Sequence, residues 1–213
     1  MQHGTKTVAA TAAALIGFAA NSLLCRLALR SEAIDPVAFT GVRIASGAAT
    51  LWIVCAFSRA PRRAGSWSGA LALFAYAITF SLAYVRLSAG VGAFLLFCAV
   101  QTTMLGWGLA RGERFTLLSS LGLALAIGGL VLLTLPGASA PEAGATLLMV
   151  CAGMAWAVYT LLGRSATHAL AATADNFGRA ALFAAALLAL VPAFGAFRLS
   201  WRGIGPQVPR RFA

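Results

Sequence analysis

Charge is what this chain has least of. Charged side chains make up 10% of its 213 residues, and only five of them are acids, where a soluble domain carries roughly 25% charge. Hydrophobic residues account for 61%. A water-soluble core cannot absorb that excess, but lipid can, and no stretch reads as a soluble domain. Histidine is scarce too: His3 and His168 both lie outside the apolar runs. The four cysteines, Cys25, Cys55, Cys98 and Cys151, lie within or at the end of those runs without metal-type spacing. They read as small buried hydrophobes, not as a disulfide framework. No nucleophile–base pair, metal cluster or phosphate-binding glycine loop is visible, so an enzyme has little support and no cofactor is implied.

What is present is a series of long apolar stretches. A helix needs about 20 mostly apolar residues to cross about 30 Å of hydrocarbon. Seven stretches qualify: 8–25, 37–57, 67–85, 89–110, 116–135, 144–163 and 176–197. Helices are expected because lipid leaves every backbone donor needing an internal partner, and the Ala/Leu runs lack the alternation of barrel strands. The first stretch follows Lys6 like a signal peptide. Asn21 and Arg26 spoil the cleavage pattern, so it reads as a retained helix.

Basic residues set the expected orientation. With the N-terminus in the cytoplasm, inside segments collect Lys6, Arg59, Arg62, Arg63, Arg111, Arg114 and Arg164, while outside loops hold Arg26, Arg30 and Arg86. That bias follows the positive-inside rule, and the tail arginines 198, 202, 210 and 211 run against it. The net charge of +11 is thus a topology signal, with the bilayer as partner and no call for nucleic acid. A patch for anionic lipid at Arg59–Arg63 is the less favoured reading.

Sliding the chain by 138 residues lays Gly17–Arg26 over Ala155–Arg164, matching Leu23, Leu24 and Arg26 to Leu161, Leu162 and Arg164. Phe18 meets Trp156, and Phe39 meets Phe177. Five spans separate the two starts, and an odd number inverts the second copy. Inverted repeats are the signature of alternating-access carriers with a midplane site. Residues 8–135 form the first repeat, 136–143 a Pro/Gly/Ala linker, 144–197 a partial second repeat and 198–213 a basic tail.

The stretch Tyr84-Val-Arg-Leu-Ser-Ala-Gly-Val-Gly-Ala93, then Gly112-Glu-Arg-Phe-Thr-Leu-Leu and Gly122 with Gly128-Gly129, resembles the end of a first EamA repeat. EamA proteins belong to the drug/metabolite transporter superfamily. Gly17–Arg26 and Pro36-Val-Ala-Phe-Thr-Gly-Val-Arg43 also fit. The resemblance covers 8–135 well and 144–197 moderately. It implies an all-α polytopic membrane protein of ten helices in two inverted five-helix repeats, cytoplasmic termini, and movement of small metabolites such as amino acids across the bacterial inner membrane. Two features depart from the family: Ala99-Val-Gln101-Thr-Thr-Met stands where a proline is common, and helices eight to ten have no counterpart, leaving about seven.

A carrier for small polar solutes needs a few convergent polar groups on helices that can rock. The candidates are Asn21 on the first span, Thr79 and Tyr84 on the third with Tyr76 and Ser81 nearby, Gln101, Thr102 and Thr103 on the fourth, and Trp156 and Tyr159 on the sixth. Each hydroxyl has a bland alternative, bonding back to its own helix. Gln101 cannot be satisfied that way and is expected to line the path. Trp156 and Tyr159 suit either a stacking wall or plain interhelical packing. Arg43 is the most expensive residue. The structural reading, snorkelling outward or pairing with Asp35 or Glu32, is favoured over a counter-ion for an anionic substrate. No acid lies deep in any span, so proton coupling through a buried carboxylate is unsupported. Ala124 and Gly128 offer a small-residue contact in the fifth span.

Transport is therefore the expected function. The alternative is a truncated or frameshifted membrane protein without transport of its own. Phe197–Ala213, with four arginines, two prolines and no acid, motivates it. On that reading a homodimer or a complementing fragment would cover the polar wall.

Overall fold

The computed structural model describes residues 2–30, 34–58, 64–113 and 141–190, with isolated positions between 121 and 128. These residues form α1 (Gln2–Arg30), α2 (Pro36–Ser58), α3 (Trp67–Tyr84), α4 (Ala89–Ala110), α5 (Ala143–Gly163) and α6 (Ala169–Leu190). Strand is absent among the described residues. The fold class is all-α, as expected. Five helices are long and apolar enough to cross a membrane: α1 over Thr7–Arg30, and α2, α3, α4 and α5 over their whole lengths. Most of the expected fifth span, 116–135, and the tail 198–213 lie outside the described residues. Ala124 and Gly128 are described, both are exposed, and nothing lies within 4 Å of a Cβ on Gly128, so the expected small-residue contact is not seen among the described residues.

The sixth helix begins earlier than the apolar run at 176–197 suggests. An Ala-rich stretch, good helix former in itself, starts α6 at Ala169. Asp175 and Asn176 therefore sit inside a helix instead of before one. They are tolerated because the loop ahead of α3 satisfies them: Gly65 N–H donates to Asp175 Oδ2 at 3.0 Å and Ser66 N–H to Asn176 Oδ1 at 2.8 Å. Arg179 donates to the Asp175 carboxylate at 2.9 Å and lies 5.1 Å from the Trp67 ring centroid. The carboxylate thus serves a loop-to-helix clamp.

Helix ends are specified locally. Asp35 accepts from the amides of Val37 and Ala38 at 2.8 and 3.2 Å, Ser66 from Gly69 at 3.0 Å, and Ser88 from Val91 at 3.4 Å. Each is an N-cap satisfying otherwise orphaned donors. At the end of α4, Gly112 takes φ +80°. Its N–H bonds Leu109 O at 2.9 Å and that of Glu113 bonds Gly108 O at 3.0 Å, a Schellman stop that glycine adopts without a Cβ penalty. Arg26 closes α3 from another helix, donating to the carbonyls of Tyr84 and Val85 at 2.8 and 3.0 Å.

The centre of the bundle is α3, which packs on α1, α2, α4, α5 and α6 and contributes Phe80, Ala83 and Tyr84, all fully buried. Small residues set the helix separations. A Cβ on Gly153 would lie 2.5 Å from the Ala99 Cβ and 2.7 Å from Leu96 O, so α4 and α5 touch backbone to backbone there. Between α2 and α6, Gly41 meets Leu188, Gly47 meets Phe177 and Gly178 meets Trp52, which makes the pair antiparallel. The outside is apolar: Leu15, Ile16, Leu24, Trp52, Ile53 and Phe57 are all exposed.

Candidate functional site

The interior polar group begins with Arg43, one face of α2 turned toward α3. Its guanidinium carbon lies 5.3 Å from the Tyr76 ring centroid and 5.0 Å from that of Phe80, and Nη1 donates to Cys25 Sγ at 3.7 Å. The Asp35 carboxylate, an expected partner, caps α2 instead, and Glu32 lies outside the described residues. The side chain lies over two rings of α3, about two turns from the start of α2. A charged side chain within a span costs about 2.5–3.5 kcal/mol on insertion scales. Ring contacts return about 0.5–2 kcal/mol.

Three helices supply the rest. Asn21 on α1 donates Nδ2–H to the Tyr76 hydroxyl at 3.4 Å and accepts from Cys25 S–H at 3.8 Å. Tyr76 stands 4.8 Å from Trp156 on α5, which in turn lies 5.5 Å from Tyr159 and 5.9 Å from Phe18. Below the group, Thr40 on α2 donates to Ser81 on α3 at 2.8 Å, and Ser81 donates to Ala77 O at 2.8 Å. That buried bond locks α2 to α3 and so fixes where Arg43 points.

Of the residues picked from the sequence, Asn21, Arg43, Trp156 and Tyr159 converge, with Tyr76 at their centre. The others do not. Thr79 bonds back to Ala75 O at 2.7 Å and Thr103 to Ala99 O at 2.7 Å, the bland alternative for a hydroxyl. Tyr84 is fully buried, its ring against Gly92 and Phe80 and its hydroxyl donating to Ala89 O at 3.3 Å. Gln101 and Thr102 are exposed on α4. Cys25, expected only as a small buried hydrophobe, and Phe80, not singled out from the sequence, also belong to the site. Their i, i+4 relation to Asn21 and Tyr76 was the available signal. A separate open cleft of ≈ 920 Å³ lies between the ends of α4 and α5, lined by Trp107, Arg111, Glu113 and Arg164 among others.

These features define a class: among the described residues, an all-α bundle with five membrane-length helices, an apolar exterior and a polar, aromatic group in its interior. No family model matches the chain. No solved structure matches it either. It is 51% identical over 201 residues to a Pseudomonas aeruginosa protein described as uncharacterized protein PA1977, an alignment covering 93% of this chain and 69% of that protein. The chain belongs to the family of that Pseudomonas protein.

Proposed function

We propose that the chain is a multi-pass inner-membrane carrier for small metabolites, amino acids or related compounds, working by alternating access between inverted repeats. The observation that carries this reading is the convergence of Asn21, Arg43, Tyr76, Trp156 and Tyr159 inside helices that present apolar side chains outward. Lipid suits such an exterior, and a polar interior at span depth marks a pathway. Two further features favour the inverted repeat. Phe18 and Trp156, equivalent under the 138-residue offset, touch edge to face at 5.9 Å, as residues on a two-fold axis do. Helices α2 and α6, also equivalent, pair antiparallel. The motifs at Tyr84–Ala93 and Gly112–Gly129 supply the EamA affinity.

Orientation with the N-terminus inside rests on the arginine distribution and on the grouping of helix ends. Arg111 and Arg164 share one cleft, while Arg86 and Glu142, on the proposed outer side, lie 3.8 Å apart. The test is uptake by right-side-out vesicles from cells expressing the chain, offered a panel of radiolabelled amino acids and organic acids. Saturable uptake of at least one solute above vesicles lacking the chain is expected. Indistinguishable uptake across the panel would remove the carrier reading.

A further inference from the structure

Arg43 is a cation that none of the described carboxylates neutralises. The chain has five acidic side chains, and the four that are described are engaged elsewhere. Asp35 caps α2, Glu142 faces Arg86, Asp175 holds Arg179, and Glu113 packs beside Gly108. The guanidinium's polar contacts are a long one to the Cys25 sulfur at 3.7 Å and one to the Tyr76 hydroxyl, and it carries more N–H donors than these use. Among the described residues no buried side-chain nitrogen or oxygen lacks a partner. Any uncommitted Arg43 nitrogen is therefore not fully buried, and the side chain as a whole is half-buried. Stacking on Tyr76 and Phe80 holds the fork in one plane at no cost in further donors. A pre-set planar fork with free N–H groups is suited to bidentate recognition of a carboxylate.

The neighbours narrow the class. The Asn21 amide and the Tyr76 hydroxyl are neutral and can bond a second polar atom. Tyr76, Trp156 and Tyr159 offer ring faces and edges to a flat or apolar body. None of the described carboxylates is at hand to receive an ammonium. Resting on the carrier reading above, we infer that the Arg43 site selects a small organic monoanion, a carboxylate on a planar or apolar body, over a zwitterionic amino acid. The cation at Arg43 is then neutralised only while the site is filled, so the bound and empty states differ in charge within the bundle.

The test uses the full chain in uncharged detergent, with phenylacetate, phenylacetamide and phenylalanine as probes and tryptophan fluorescence as readout. Phenylacetate should bind at least about tenfold more tightly than either of the others, the worth of a charge-assisted bond. That comparison needs no variant. Arg43→Gln should remove the preference, and Arg43→Lys, a point charge without the fork, should keep part of it. Equal binding of acid and amide, an unchanged preference in Arg43→Gln, or displacement of phenylacetate by phosphatidylglycerol micelles alone would overturn the inference. Binding and transport fail separately. Vesicle uptake without carboxylate preference leaves the carrier and removes this site's role, whereas carboxylate binding with no uptake of any solute does the reverse.

Discussion

At the scale of the residue, position on a helix counts for less than what the side chain meets. Asn21 and Gln101 are both amides within apolar spans, and both need partners that their own helices cannot give. Asn21 bonds the Tyr76 hydroxyl and the Cys25 thiol, whereas Gln101 is exposed on α4. Asn21→Leu should therefore cut carboxylate binding and uptake about tenfold, the value of one or two lost hydrogen bonds. Gln101→Leu and Thr102→Val should each stay within about twofold. Equal losses for Asn21 and Gln101 would mean that the site extends across α4. The contrast also shows what a sequence of this kind discloses. Polar residues within spans are easy to pick out, because lipid makes each one conspicuous. Which of them converge is not, because these helices are apolar almost all round and the stripe that marks an inward face in a soluble helix is missing. Thr79 and Tyr84 were as plausible as Asn21 until Ala75 O and Ala89 O were seen to take their hydroxyls.

At the scale of the element, helix boundaries were legible where apolarity and helix formation coincide. The expected 37–57, 67–85, 89–110 and 144–163 match α2 to α5 within a residue. They diverge at α1, which runs Gln2–Arg30 against the expected 8–25, and at α6, where Asp175 bounds the apolar run but not the helix, because loop amides neutralise its cost. Packing between elements turns on glycine, since without a hydrophobic drive between helices in lipid close approach supplies the attraction. Gly153 is the clearest case, with Ala99 Cβ at 2.5 Å and Leu96 O at 2.7 Å from where a Cβ would stand. The second of these is backbone and cannot move aside alone. Gly153→Val should destabilise the bundle by about 1–3 kcal/mol, as overpacking does, read as a lower melting temperature in detergent. Gly17→Ala, with nothing within 4 Å of its Cβ, should leave the melting temperature unchanged or raise it slightly. The same loss at both positions would show that α4 and α5 are not in contact at Gly153.

At the scale of the whole molecule, the charged and polar contacts sort into three levels. Arg86 with Glu142 and Arg26 on the α3 carbonyls sit at one end of the bundle. Arg111, Glu113 and Arg164 border the cleft at the other. Between them lies the group around Arg43. A carrier needs that middle group to be reached from each side in turn, with the two repeats rocking around it. Cysteine labelling tests this directly. In a background with Cys25, Cys55, Cys98 and Cys151 changed to alanine, Tyr159→Cys probes the site with little disruption, since Trp156 is its ring contact. Ser66→Cys and Glu142→Cys, both exposed, calibrate the two faces. A membrane-impermeant thiol reagent should modify Ser66→Cys only from the cytoplasmic face and Glu142→Cys only from the outer face. It should modify Tyr159→Cys from both, and more slowly when phenylacetate is present. Modification of Tyr159→Cys from one face only, or from neither, with both calibrating positions labelled as expected, would contradict alternating access to this site.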